Sequence, residues 1–228
     1  MQQIDIRGVI VPDDDHWIYD WFGMAATCPK MVRDLLASAN GDAITVTVNS
    51  GGGDVTSGQE IYTILREYSG SVLIRIQSMA ASAAAVISMA RESEISPVAQ
   101  LMIHNVSTYA EGDYRDMEHA AEVLRNSNQA LSNAFSAKTG KTQAEILELM
   151  DRETWLTADQ AVAEGFVDRI MAPDDANKKQ KLQLAASFGC GLLPEKAIAY
   201  AKATFRNQTA AAKAKAEYEF MILEGKTK

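Results

Sequence analysis

Cysteine is scarce in this chain of 228 residues: Cys28 and Cys190 stand far apart, with no CxxC pair and no Cys/His ligand spacing around either. That argues against a disulfide framework or a structural metal site and for a reducing compartment. Positive charge is also in deficit, with 22 Lys and Arg against 30 Asp and Glu and a formal net charge of −8. Binding to duplex nucleic acid needs a basic footprint, so nucleic acid is not an expected partner. No stretch approaches the roughly 20 apolar residues that cross a bilayer. The opening MQQIDIRGVIVPDDD has neither a basic leader nor an uninterrupted apolar run, so it does not read as a secretory signal. These absences lead to the expectation of a cytoplasmic protein without a membrane segment.

What is present is a composition of 47% hydrophobic and 23% charged residues, which suits a globular domain with a real core. The length fits one domain, or one domain with an appendage. Ile4 to Val11 read as a strand, and Trp17 to Ala39 as helical spacing broken at Cys28-Pro29. AITVTV at 43–48 is a strand running into NSGGGD, and a helix follows from Val55 to about Tyr68. SVLIRIQ at 71–77 is strand-like, and the small-residue run after it reads as a helix. AQLMIH at 99–104 is a further strand, and Asp113 to Thr139 a long amphipathic helix stopped by Gly140. Helices from Thr142 and from Thr157 carry capping-box spacing, and FVDRIM reads as a last strand. This alternation predicts an α/β fold around a largely parallel sheet. After Met171 the composition shifts: residues 173–228 hold ten basic against six acidic residues. We read residues 1–172 as the domain and 173–228 as an Ala/Lys-rich appendage, with a helix from about Pro194 to Leu223.

Three segments carry chemistry. NSGGGD ends a strand in three glycines and starts a helix, which gathers backbone N–H groups beside a positive helix terminus. The segment lacks the lysine of a P-loop, so the oxyanion of a tetrahedral intermediate is a better guest than phosphate. Ser82 lies in QSMAASAAAVISMA among alanines that allow backbone to approach a substrate carbonyl. A plainer reading makes it a packing residue whose hydroxyl bonds a carbonyl one turn back. His104 ends the strand AQLMIH. If these strands are parallel neighbours, all three groups lie on one edge of the sheet, where α/β folds place their sites. His16 and His119 read as surface residues.

The chain resembles the Clp protease proteolytic subunit family at four places. NSGGGDVTSG is similar to its NSPGG segment, SMAASAAA to its nucleophile motif, LMIHN to its MIH motif, and ETWLTADQAVAEGFVDRI to its closing signature. The four occur in the family's order across roughly residues 4–171. DDDHWIYDWFG, SAKTG and ETWLTA further resemble the phage and prophage branch, the Clp-related head maturation proteases. The resemblance implies a ClpP/crotonase-like β-β-α spiral with a mainly parallel sheet flanked by helices, a long handle helix, and a helical or partly disordered C-terminal tail. It implies a cofactor-free serine endopeptidase with Ser82 as nucleophile, His104 as general base, and the Gly53 and Ala83 amides as oxyanion hole. Alignment on the aromatic of ETW places Glu153 where the family has Asp, with Asp151 as the alternative acid. Gly51 and Ser78 stand where the family commonly has Pro and Gly.

It further implies a homo-oligomeric ring, with stacked rings joined through helix 113–139 and segment 105–112 beside an extended protein substrate. Capsid or scaffold proteins are the expected substrates in a phage setting, with an ATP-driven unfoldase and self-cleavage of the tail left open. Two other readings stand beside it. A crotonase-type acyl-CoA enzyme shares the fold but does not need Ser82 and His104 together. A catalytically silent shell or scaffold component keeps the fold without the chemistry.

Overall fold

The computed structural model describes residues 2–172 and 193–205. Eight strands form one sheet in the order β2-β1-β3-β4-β5-β8, with β6 beside β4 and β7 beside β6. The strands are β1 (Gln2–Ile10), β2 (Ala26–Thr27), β3 (Ile44–Gly53), β4 (Val72–Ala81), β5 (Glu92–Ile95), β6 (Gln100–Ile103), β7 (Thr154–Thr157) and β8 (Arg169–Ile170). Every pairing is parallel except β6 with β7. The helices are α1 (His16–Trp21), α2 (Pro29–Ala39), α3 (Val55–Glu67), α4 (Ala83–Ser88), α5 (Tyr114–Thr139), α6 (Gln143–Asp151), α7 (Ala158–Ala163) and α8 (Glu195–Phe205). The mainly parallel α/β architecture expected from the sequence is the one observed.

The central strands bury their apolar residues fully, as parallel strands covered on both faces must. Ile6, Val46, Val48, Ile74 and Ile76 are all completely buried. Each such side chain contributes roughly 1.5–3 kcal/mol relative to an exposed one. Local signals set the element ends. Asp54 accepts the Ser57 N–H and caps α3, and both predicted capping boxes form, Thr142 with Glu145 and Thr157 with Gln160. Asn40 and Gly140 end α2 and α5 in the left-handed region.

The small-residue run departs from its helical expectation. Gln77 to Ala81 continue β4, and only Ala83 to Ser88 are helical. The reason is a change of partner: Leu73 to Ile76 pair with β5, whereas Met79 to Ala81 pair with β6. Ladder bonds to a waiting strand outweigh the helix propensity of alanine. The helical spacing from Trp17 is likewise interrupted by β2 before Pro29, and β5 and β7 add two short strands that periodicity did not signal.

A second apolar cluster sits outside the main core, built from Val9, Val11, Ile18, Tyr19 and Cys28. Ala201 of α8 packs into it, and the Leu193 N–H donates to the Tyr19 hydroxyl at 3.0 Å. The described part of the tail therefore rests on the N-terminal aromatic segment. The rest of the predicted tail helix, to Leu223, lies outside the described residues.

Gly8 interrupts β1 with φ +68°, and a Cβ there would stand 1.9 Å from the Ala25 carbonyl oxygen. Gly23 has nearly the same φ, +67°, with open space around it. Gly23→Ala is expected to cost about 1 kcal/mol of left-handed strain. Gly8→Ala should cost clearly more in urea denaturation, and equal losses would contradict the close approach.

Candidate active site

Strand β4 and the start of α4 form a sharp strand-to-helix turn, and Ser82 sits at its apex with φ 56° and ψ −125°. A non-glycine residue there is strained, and such turns expose a nucleophilic hydroxyl above a sheet edge. The flanking alanines make it feasible: Ala81 and Ala83 to Ala85 are all buried, so larger side chains have no room. The Ser82 N–H donates to the Met102 carbonyl at 3.0 Å, which extends the β4–β6 pairing to the apex. Two residues past Met102 comes His104, whose Nε2 lies 2.8 Å from the Ser82 Oγ.

The glycine turn closes the site from β3. A Cβ on Gly52 would lie 2.7 Å from both the Ala81 oxygen and the Ser82 Cβ, and φ there is +97°. Gly52 is thus the residue that lets the turn press against the serine. A Cβ on Gly51 would meet only the Met79 methyl, at an ordinary contact distance of 3.6 Å. Gly53, Ser82, Ala83 and His104 line one cavity, completed by Val55, Val86, Val106, Ser107, Leu131 and Phe135. Ala83 is the first residue of α4, so its N–H has no partner within the helix. A hydroxyl with a base in reach, beside free amides, is the equipment of acyl transfer.

The structure brings Ser82, His104, Gly53 and Ala83 together, and each of the two candidate acids bonds a partner other than His104. Glu153, at φ 48°, accepts a hydrogen bond from the Trp155 indole at 3.1 Å. Asp151 accepts one from the Asn105 amide at 2.7 Å. Among the described residues no carboxylate bonds to His104. His16 bonds the Ala26 carbonyl, and His119 is exposed. The apolar wall of the cavity was not foreseen from sequence, although Leu131 and Phe135 stand one turn apart on the buried stripe of α5. Among the described residues no cluster of His, Cys, Asp and Glu could hold a metal ion, and no helix is long and apolar enough to cross a membrane.

The contact at Gly52 generates a prediction. Gly52→Ala should lower peptide hydrolysis by roughly 10²-fold or more, as losing an oxyanion donor does, while Gly51→Ala stays near wild type. A fluorogenic peptide assay on both variants checks it, and equal rates would contradict the role of the close approach.

Comparison with known proteins identifies the family. The sequence profile described as Clp protease matches residues 24–174. ATP-dependent Clp protease proteolytic subunit 2 of Tropheryma whipplei (strain Twist) is 32% identical over 146 residues, covering 63% of this chain and 81% of that one. Subunit 3 of Rhizobium meliloti (strain 1021) is 33% identical over 147 residues, covering 63% and 74%. Among solved structures, a ClpP1 point mutant from Listeria monocytogenes superposes with a TM-score of 0.62 at 23% identity, over 76% of this chain and 93% of that one, and shares its fold. With the profile spanning the Ser82 turn, the strand before His104 and the glycine turn, this chain belongs to the Clp protease family.

Proposed function

We propose that this protein is a serine endopeptidase in which Ser82 attacks the scissile carbonyl and His104 takes its proton. The observation that carries the reading is the 2.8 Å contact between Ser82 Oγ and His104 Nε2 at the mouth of the cavity. His104 then returns the proton to the leaving amine, and water repeats the cycle on the acyl-enzyme. The Gly53 and Ala83 amides hold the oxyanion, where fixed donors act on charge that develops only in the transition state. The apolar wall of Val55, Val86, Leu131 and Phe135 gives an apolar substrate side chain a dry seat.

Glu153 is the proposed acid, with Asp151 as the alternative. Its bond to the Trp155 indole must be exchanged for one to His104, a change we assign to assembly with neighbouring subunits or to substrate. The proteolytic subunits similar to this chain are named as ATP-dependent; for this chain we propose a homo-oligomeric ring, with stacking through α5. An unfoldase partner is an open part of that proposal. The biological role we favour is processing of capsid or scaffold proteins during phage head assembly in the host cytoplasm. It is supported by the likeness of DDDHWIYDWFG, SAKTG and ETWLTA to the head maturation branch. The contrasting reading, a silent shell component, predicts no covalent adduct at Ser82.

Fluorophosphonate labelling decides between them: wild type should carry the adduct on the Ser82 peptide, and Ser82→Ala and His104→Ala should not. Labelling elsewhere, or none in an assembled particle, would favour the shell. Glu153→Gln should lower kcat by about 10³-fold or more, in line with loss of a triad carboxylate, with Asp151→Asn within a few-fold of wild type. The reverse order would transfer the role to Asp151.

A further inference from the structure

We infer that Ser50 is a positioning residue that aims the oxyanion-binding turn, acting on Gly53 through Gly52; the inference rests on the serine peptidase reading above. Ser50 lies where β3 falls out of register with both neighbours. Pairing with β1 shifts between Arg7 and Val9, and pairing with β4 shifts between Val48 and Ser50. The Ser50 side chain ties two backbone groups together at this irregularity: its hydroxyl donates to the Gly8 carbonyl at 2.6 Å and accepts the Gly52 N–H at 3.1 Å. The residue is 2% exposed, so water has little access to replace it.

Two consequences follow for the site. The Gly52 N–H is already engaged by Ser50, which leaves Gly53 as the glycine that can donate to an oxyanion. Gly51, Gly52 and Gly53 have no side chains to restrict their dihedrals, so hydrogen bonds hold that donor in place: Gly53 pairs with Ile10, the Asp54 N–H donates to the Ile10 carbonyl, and Ser50 adds its bond to Gly52. At one end the Ser50 bridge is tied to Gly8, itself confined against the Ala25 carbonyl. At the other it fixes the Gly51–Gly52 peptide plane, one peptide before the one that carries the Gly53 N–H. The hydroxyl therefore transmits the position of β1 to the donor.

The test uses the full chain, a fluorogenic peptide, and rates divided by the number of sites titrated with a fluorophosphonate. Ser50→Ala should lower kcat per titrated site about tenfold or more with KM within about twofold, because the donor acts on the transition state and not on bound peptide. Affinity for a peptide boronate, whose tetrahedral adduct places an oxygen at the donors, should fall in proportion. Ser50→Thr keeps the oxygen and should stay within about threefold of wild type in both measurements. A wild-type kcat per titrated site in Ser50→Ala overturns the inference, as does a loss confined to KM or to the number of sites. Should Ser50→Ala fail to fold, Ser50→Cys carries the test: its weaker thiol should lower kcat and boronate affinity together, and a wild-type kcat overturns the inference. Ser82→Ala runs alongside: hydrolysis persisting in it sinks the peptidase reading, whereas an inactive Ser82→Ala beside an unaffected Ser50→Ala removes only the role of Ser50.

Discussion

The change of partner along β4 is the constraint on which the site depends. One strand pairs with β5 through Ile76 and with β6 from Met79 onward. That fork delivers the end of β6 to the end of β4, and so a histidine to a serine 22 residues earlier in the chain. The two residues are brought together by backbone ladders that set the strand ends side by side. A site built on rigid strand termini is also one in which a base can be held at hydrogen-bond distance without a flexible loop.

The fork works only because its surroundings are small. Ser82 occupies a strained backbone conformation, which persists where neighbours over-determine it. Buried alanines on the serine side and Gly52 on the β3 side do this by contact. The Ser82 N–H bond to Met102 adds the directional part. Apolar side chains of α3, α4 and α5 line the same cavity.

Much of this is legible in the sequence. The glycine end of β3, the caps at Thr142 and Thr157, and the stop at Gly140 are chemical signals that act locally, and the structure has them where the sequence puts them, while β6 ends at Ile103, one residue before His104. The run 77–90 misleads because alanine favours helix in isolation, while the choice here is made by a partner strand about 20 residues away in sequence. β5 is hidden for a related reason: Glu92 and Glu94 look like surface residues, yet they pair with Arg169 and, for Glu94, also with Arg75 across the strands. Ser50 escapes notice since a serine before glycines reads as turn, and nothing in the sequence shows that two neighbouring strands lose register around it. The candidate acids are the least legible: Glu153 bonds the Trp155 indole and Asp151 the Asn105 amide, and sequence spacing carries no information about which partner a carboxylate takes.

The central claim is that Ser82, His104 and the Gly53 and Ala83 amides act on one tetrahedral centre. A crystal structure of the assembled protein inactivated with a peptide boronate tests it most directly. The account predicts a covalent bond from Ser82 Oγ to boron, one boronate oxygen roughly 2.7–3.1 Å from both amide nitrogens, and the imidazole of His104 beside a second oxygen. An adduct oxygen turned to solvent, or boron bound to any other residue, would contradict it.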